Sequence, residues 1–204
     1  MSRFRRPYLY SHDLDWFLNV SGYWCHMASL NGDLPDKAND VSMLPILQSI
    51  IYHIYPIFPD EAIEYNNEFL ETRYGRQQAI IEALGRDFQY LQIPFQDFKD
   101  RYVESFGEMA KKGFISLTRV VEEKDNEYRW VARPKDMTFA ADLDEKISNE
   151  INRLGIKGQD EFDEYVKGLD IHKQYLDIAQ LEAEIREYCE NHPSEYQKPW
   201  EDFD

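Results

Sequence analysis

Along the chain the spacing of apolar positions switches between two and three-to-four, and each switch marks a change of element. From Leu14 to Leu30 the period is two. Leu14, Trp16, Leu18 and Val20 alternate with Asp15 and Asn19, Ser21-Gly22 supplies a two-residue turn, and Tyr23 onward returns rich in aromatic and apolar residues. This predicts a β-hairpin, followed by a loop at Asn31-Gly32-Asp33 and Pro35.

The spacing then becomes helical. Leu44, Leu47, Ile51 and Ile54 form one face, with Met43 and Ile50 beside them. Ser42 is placed to cap this first helix, Pro45 falls in its first turn, and Pro56 and Pro59 end it. Pro59-Asp60-Glu61 opens a second helix, with acids at the positive end of its dipole. Ile80, Ile81, Leu84, Phe88 and Leu91 stripe a third. Pro94 opens a fourth, striped by Phe95, Phe98, Tyr102, Phe106 and Met109 and stopped at Gly113.

A second hairpin follows. Phe114 to Val121 is β-branched and aromatic, Glu122 to Asn126 is a polar loop, and Glu127 to Arg133 returns to Pro134. The last third is helical again. Leu143, Ile147, Ile151 and Leu154 stripe one helix up to Gly155-Ile156, and Phe162, Tyr165 and Val166 suit a short one ended by Gly168. Ile171, Tyr175, Ile178, Leu181, Ile185 and Tyr188 stripe a longer helix, whose other face carries Asp177, Glu182, Glu184, Glu187 and Glu190. The stripe is expected to dock on the rest of the domain. The tail from Asn191 is expected to be irregular, pinned by Trp200 and Phe203.

Together these elements predict an α+β fold: two hairpins joined into one small antiparallel sheet, packed by a mostly helical remainder. Residues 1–141 form the expected core domain. Residues 142–204 form an acidic helical region packed on it rather than an independent domain. The helix from Phe95 followed directly by a hairpin also resembles the final helix and wing of a winged-helix module.

Charge changes the picture most. The 204 residues carry 39 acids and 23 lysines and arginines, a net of −16. From Asp142 to Asp204 there are 18 acids and 7 bases, so the last third holds −11 of the total. Such a field repels nucleic acid and anionic lipid and draws in basic proteins. The hairpin region from Lys99 to Arg133 has eight bases and seven acids, near neutrality rather than a DNA-binding footprint. Its Arg119, Arg129 and Arg133 are expected to pair with nearby acids, and Arg3, Arg5 and Arg6 to form a solvated end. The chain lacks an apolar run of ~18 residues and an N-terminal apolar stretch of the secretory kind, which points to a cytoplasmic location. Two cysteines exclude a disulfide framework and a multi-cysteine zinc module.

The sequence contains neither a phosphate-binding glycine loop nor a His-Glu-x-x-His or Gly-x-Ser-x-Gly motif. His12, Asp13 and Asp15 at the mouth of the first hairpin, with His26 and Ser29 on its return strand, could do acid–base chemistry or hold a divalent cation. The competing reading makes Asp13 a turn cap and His26 a satisfied sheet residue. Cys25 and His26 are adjacent in a strand and point to opposite faces, so Cys25 reads as a small core residue. Cys189 and His192 supply two ligands where a closed zinc site needs four, so neither a metal nor a cofactor is expected.

The leading reading is a non-catalytic cytoplasmic interaction or inhibitor protein of the immunity type. It would bind a basic protein partner through Asp177, Glu182, Glu184, Glu187 and Glu190, with no nucleic acid and no membrane. A small hydrolase using Asp13, Asp15 and His26 is the first rival, and a winged-helix DNA-binding module the second.

Overall fold

The computed structural model describes residues 3–20, 22–120, 128–137, 143–155 and 158–169, together with Glu187. After a short helix α1 (Arg6–Leu9), strands β1 (Asp15–Val20) and β2 (Tyr23–Ala28) form the expected hairpin. Helix α2 spans Met43–His53, β3 Ile63–Tyr65, α3 Asn67–Leu84 and α4 Phe95–Lys111. Strands β4 (Ile115–Arg119) and β5 (Tyr128–Pro134) make the second hairpin, followed by α5 (Leu143–Leu154) and α6 (Gln159–Gly168). The fold is α+β.

Both hairpins join one five-stranded sheet in the order β1-β2-β4-β5-β3, but it is mixed rather than antiparallel. β2 and β4 run parallel, with Cys25 opposite Ile115 and His26 opposite Ser116. A parallel pair needs a crossover, and the helices between residues 43 and 111 supply it. The fifth strand corrects the expected second helix. Pro59 opens only a 3-10 turn, Asp60–Ala62, because Ile63, Glu64 and Tyr65 pair with Pro134, Arg133 and Ala132 of β5. Long-range pairing here overrides local helix signals.

α2 is capped by Asp40 and not by Ser42. One Asp40 carboxylate oxygen accepts from the Ser42 and Met43 amides at 2.8 and 3.0 Å. At its other end the buried Lys112 ammonium donates to the carbonyls of Ile51 and Tyr52 at 3.2 and 3.0 Å. α4 stops at Gly113, whose φ of 104° favours glycine. The α4 stripe lies as expected, with Phe98, Phe106 and Met109 buried. In α3, capped by the Asn66 side chain, only Leu70 and Ile81 are buried. The expected apolar stripe at Ile80, Leu84, Phe88 and Leu91 faces solvent; Phe88 and Leu91 lie in a 3-10 segment, Arg86–Leu91.

One rung crosses the whole sheet: Phe17, His26, Ser116, Ala132 and Tyr65 stand side by side on β1, β2, β4, β5 and β3. α4 lies over β4 and β5 and brings Phe106 to 6.0 Å from the His26 ring. A Cβ at Gly107 would meet the Tyr65 hydroxyl at 2.7 Å, so a larger residue there would push that side-chain end aside. Leu143, Ile147 and Ile151 of α5 and Phe162 and Tyr165 of α6 share one core with β1, β2 and α2. The stripe from Ile171 to Tyr188, the tail, Cys189 and His192, and the polar loop of the second hairpin lie outside the described residues.

Candidate functional site

The residues singled out at the first hairpin separate into two groups. Asp13 is a loop carboxylate: it accepts from the Leu30 amide at 2.7 Å and from the Ser29 hydroxyl at 3.2 Å. Ser29 in turn accepts from the Leu14 amide, so the two close the mouth of the hairpin. His12 is turned away, stacked on Tyr8 at 4.0 Å. Asp15 and His26 do come together. They are diagonal neighbours across β1 and β2, and His26 Nε2 lies 3.0 Å from Asp15 Oδ1. The contact is close enough for charge but lacks hydrogen-bond alignment.

Further residues, from segments distant in the sequence, complete the constellation. The Ser116 hydroxyl stands 2.6 Å from His26 Nδ1. On the solvent side the Tyr52 hydroxyl of α2 donates to Asp15 Oδ2, and Gln48 donates to the Asp15 backbone carbonyl at 2.6 Å. A chain of polar groups thus runs from α2 through β1 and β2 to β4. Lys112 extends it, with its ammonium 5.6 Å from the centre of the Tyr52 ring. Only Ser116 had a sequence signal, as the polar residue between Ile115 and Leu117, and its partner lies ninety positions away.

Burial drives the ionisation of this chain. It would raise the Asp15 carboxyl, but the His26 contact and the Tyr52 hydrogen bond outweigh it and hold the pKa below its ordinary value. Burial, with the adjacent Asp15 charge, pushes the Tyr52 hydroxyl up. Lys112 is lowered by burial. On the opposite face of β2, burial pushes the Cys25 thiol up to about 12, which makes it a core residue and a poor nucleophile.

Hydroxyl, imidazole and carboxylate in line match the order of a nucleophilic triad, yet the arrangement differs in two ways. The ring is reversed, with Nδ1 toward the hydroxyl and Nε2 toward the carboxylate. Ser116 is 0% and His26 1% exposed, closed in by Phe17 and Phe106. A nucleophile must meet its substrate, and this hydroxyl meets only the protein interior. What the geometry does provide is a strut that ties three strands to a helix.

Comparison with known proteins finds nothing similar: no protein-family model, curated protein or solved structure matches the chain.

The remaining candidates are placed as follows. Arg133 donates to Glu64 at 3.1 Å and lies over the Trp130 ring. Arg129 and Arg76 line a cleft of about 320 Å³ with Asn66 and Thr72. The β4–β5 hairpin is interior to the sheet, with β4 between β2 and β5 and β5 between β4 and β3. Arg3 and Arg6 are tied to Asp36 and Asp33. Of the five acids proposed as a partner surface, Glu187 is described, helical and exposed. Among the described residues no three His, Cys, Asp or Glu side chains converge as a metal would require. Among them, too, no helix is long and apolar enough to cross a membrane.

Proposed function

We propose that the chain is a non-catalytic interaction protein, of the inhibitor or immunity type and cytoplasmic, which binds a basic protein partner through its acidic surface. The observation that carries this reading is the orientation of α5 and α6. Glu145, Asp160, Glu161 and Glu164 are exposed while Ile147, Ile151, Phe162 and Tyr165 of the same helices are buried. These four acids therefore face outward, at the start of a last third whose sequence carries a net of −11. An outward field of one sign accelerates encounter with a basic surface and discourages acidic ones. The burial of Ser116 and His26 supports the non-catalytic half of the proposal, since it removes their hydroxyl and imidazole from any substrate.

The test is capture of partners from the source cell by the full chain, then stopped-flow association with the purified partner at two salt concentrations. Wild type should associate faster at low salt with a protein of high isoelectric point. Replacing Glu182, Glu184 and Glu187 together by Gln should slow association and flatten its salt dependence, with little change in melting temperature. A partner that is not basic, or an on-rate indifferent to both salt and the triple change, would overturn the proposal.

A further inference from the structure

Apart from the buried Ile81, the apolar stripe expected on the third helix is exposed. Ile80 (57%), Leu84 (53%), Phe88 (38%), Tyr90 (76%) and Leu91 (42%) cluster within twelve residues at the end of α3 and in the 3-10 segment that packs back against it. A patch of large apolar side chains is the informative exception on a protein surface. We propose that this tip is a self-association surface, on which a second copy of the chain docks its own tip about a two-fold axis.

Three observations select a second copy as the occupant. The first is charge. Residues 80–91 carry Arg86 against Glu82 and Asp87, a net of only −1 on a chain of −16. Two such chains repel across most of their surfaces and approach most easily where both signs are interspersed. A basic partner is steered instead to the acidic faces, so this surface is independent of the one proposed above. The second is position. The tip lies about 20 Å along the axis of α3 from Leu70, where the helix meets the core. Tip-to-tip contact thus holds the acidic bodies more than a Debye length of about 8 Å apart at physiological salt.

The third is area. The five side chains leave roughly 500 Å² uncovered, taking about 200 Å² for a whole large side chain. Two tips would bury about 1,000 Å² of apolar surface, and with the usual polar share the total falls within the 1,200–2,000 Å² of a specific interface.

Sedimentation equilibrium of the full chain from about 1 to 100 µM, a range spanning modest affinities, reads the association. The mass should rise from 24.4 kDa toward twice that value, and the rise should be steeper at higher salt because repulsion is screened. Leu84→Asp and Tyr90→Asp, at exposed positions that should leave the circular dichroism spectrum intact, should each raise the dimer dissociation constant about tenfold or more. A wild-type chain that stays monomeric throughout would overturn the proposal and leave the patch to a foreign partner. So would a dimer that weakens with salt or ignores both substitutions.

Discussion

Ser116 Oγ and His26 Nδ1 stand 2.6 Å apart on parallel neighbouring strands, with both side chains closed to solvent. A buried polar atom that loses its partner costs about 1–3 kcal/mol. Ser116→Ala should therefore lower the unfolding free energy by about that amount, read as a fall in the urea midpoint at constant slope. An unchanged midpoint would show that the imidazole finds another partner.

Asp15 gives the fold an acid-sensitive contact. Its pKa is depressed in the folded state, so its ionised form adds stability above the ordinary carboxylate range. That stability is lost as pH falls through the lower folded value. His26 and Tyr52 favour the charge, while burial opposes it. Asp15→Asn should flatten the dependence of stability on pH below about pH 4. Denaturant unfolding from pH 2 to 6 checks this, and parallel wild-type and variant curves would refute it.

Lys112 should be structural in spite of its charge. Its ammonium donates to the Ile51 and Tyr52 carbonyls at the end of α2, of which Ile51 also accepts from the Ile54 amide. Lys112→Met keeps the apolar stem and removes the donor. A loss of about 1–3 kcal/mol is expected, with faster amide exchange in the last turn of α2 than in α4.

Two glycines should respond in opposite directions. Gly75 is inside α3 with open space around it, so Gly75→Ala should raise stability by about 0.5–1 kcal/mol. Gly113 has a φ of 104°, so Gly113→Ala should lower it by about 1 kcal/mol or more. Thermal denaturation of the two variants side by side reads both signs.

Much of the fold could be read from local pattern. The alternation from Leu14, the stripe from Phe95 and the stop at Gly113 each reflect the physics of a few neighbouring residues, and each places its element correctly. The failures share a cause. β3 exists because β5 offers Ile63–Tyr65 a free edge, and β2 meets β4 in parallel because six intervening elements carry the chain across. The stripe at Ile80 to Leu91 has an apolar face, but periodicity cannot say what covers it. Similarly, Asp15 and His26 were visible as one hairpin's polar residues, whereas Ser116 and Tyr52 arrive from distant segments.

The parallel pairing of β2 with β4 also orders the events of folding. The first hairpin can close as soon as Ala28 is made, but the strand that completes the sheet beside it comes roughly ninety residues later. At about 5–20 residues per second, a typical rate of synthesis, that interval is on the order of 5–20 s. Throughout it, the unpaired edge of β2 carries Trp24, Cys25 and Met27, all buried in the finished fold. Hairpins form in microseconds, so the slow step in acquiring this structure is the wait for a distant partner. Its hazard is capture of that waiting edge by another nascent chain.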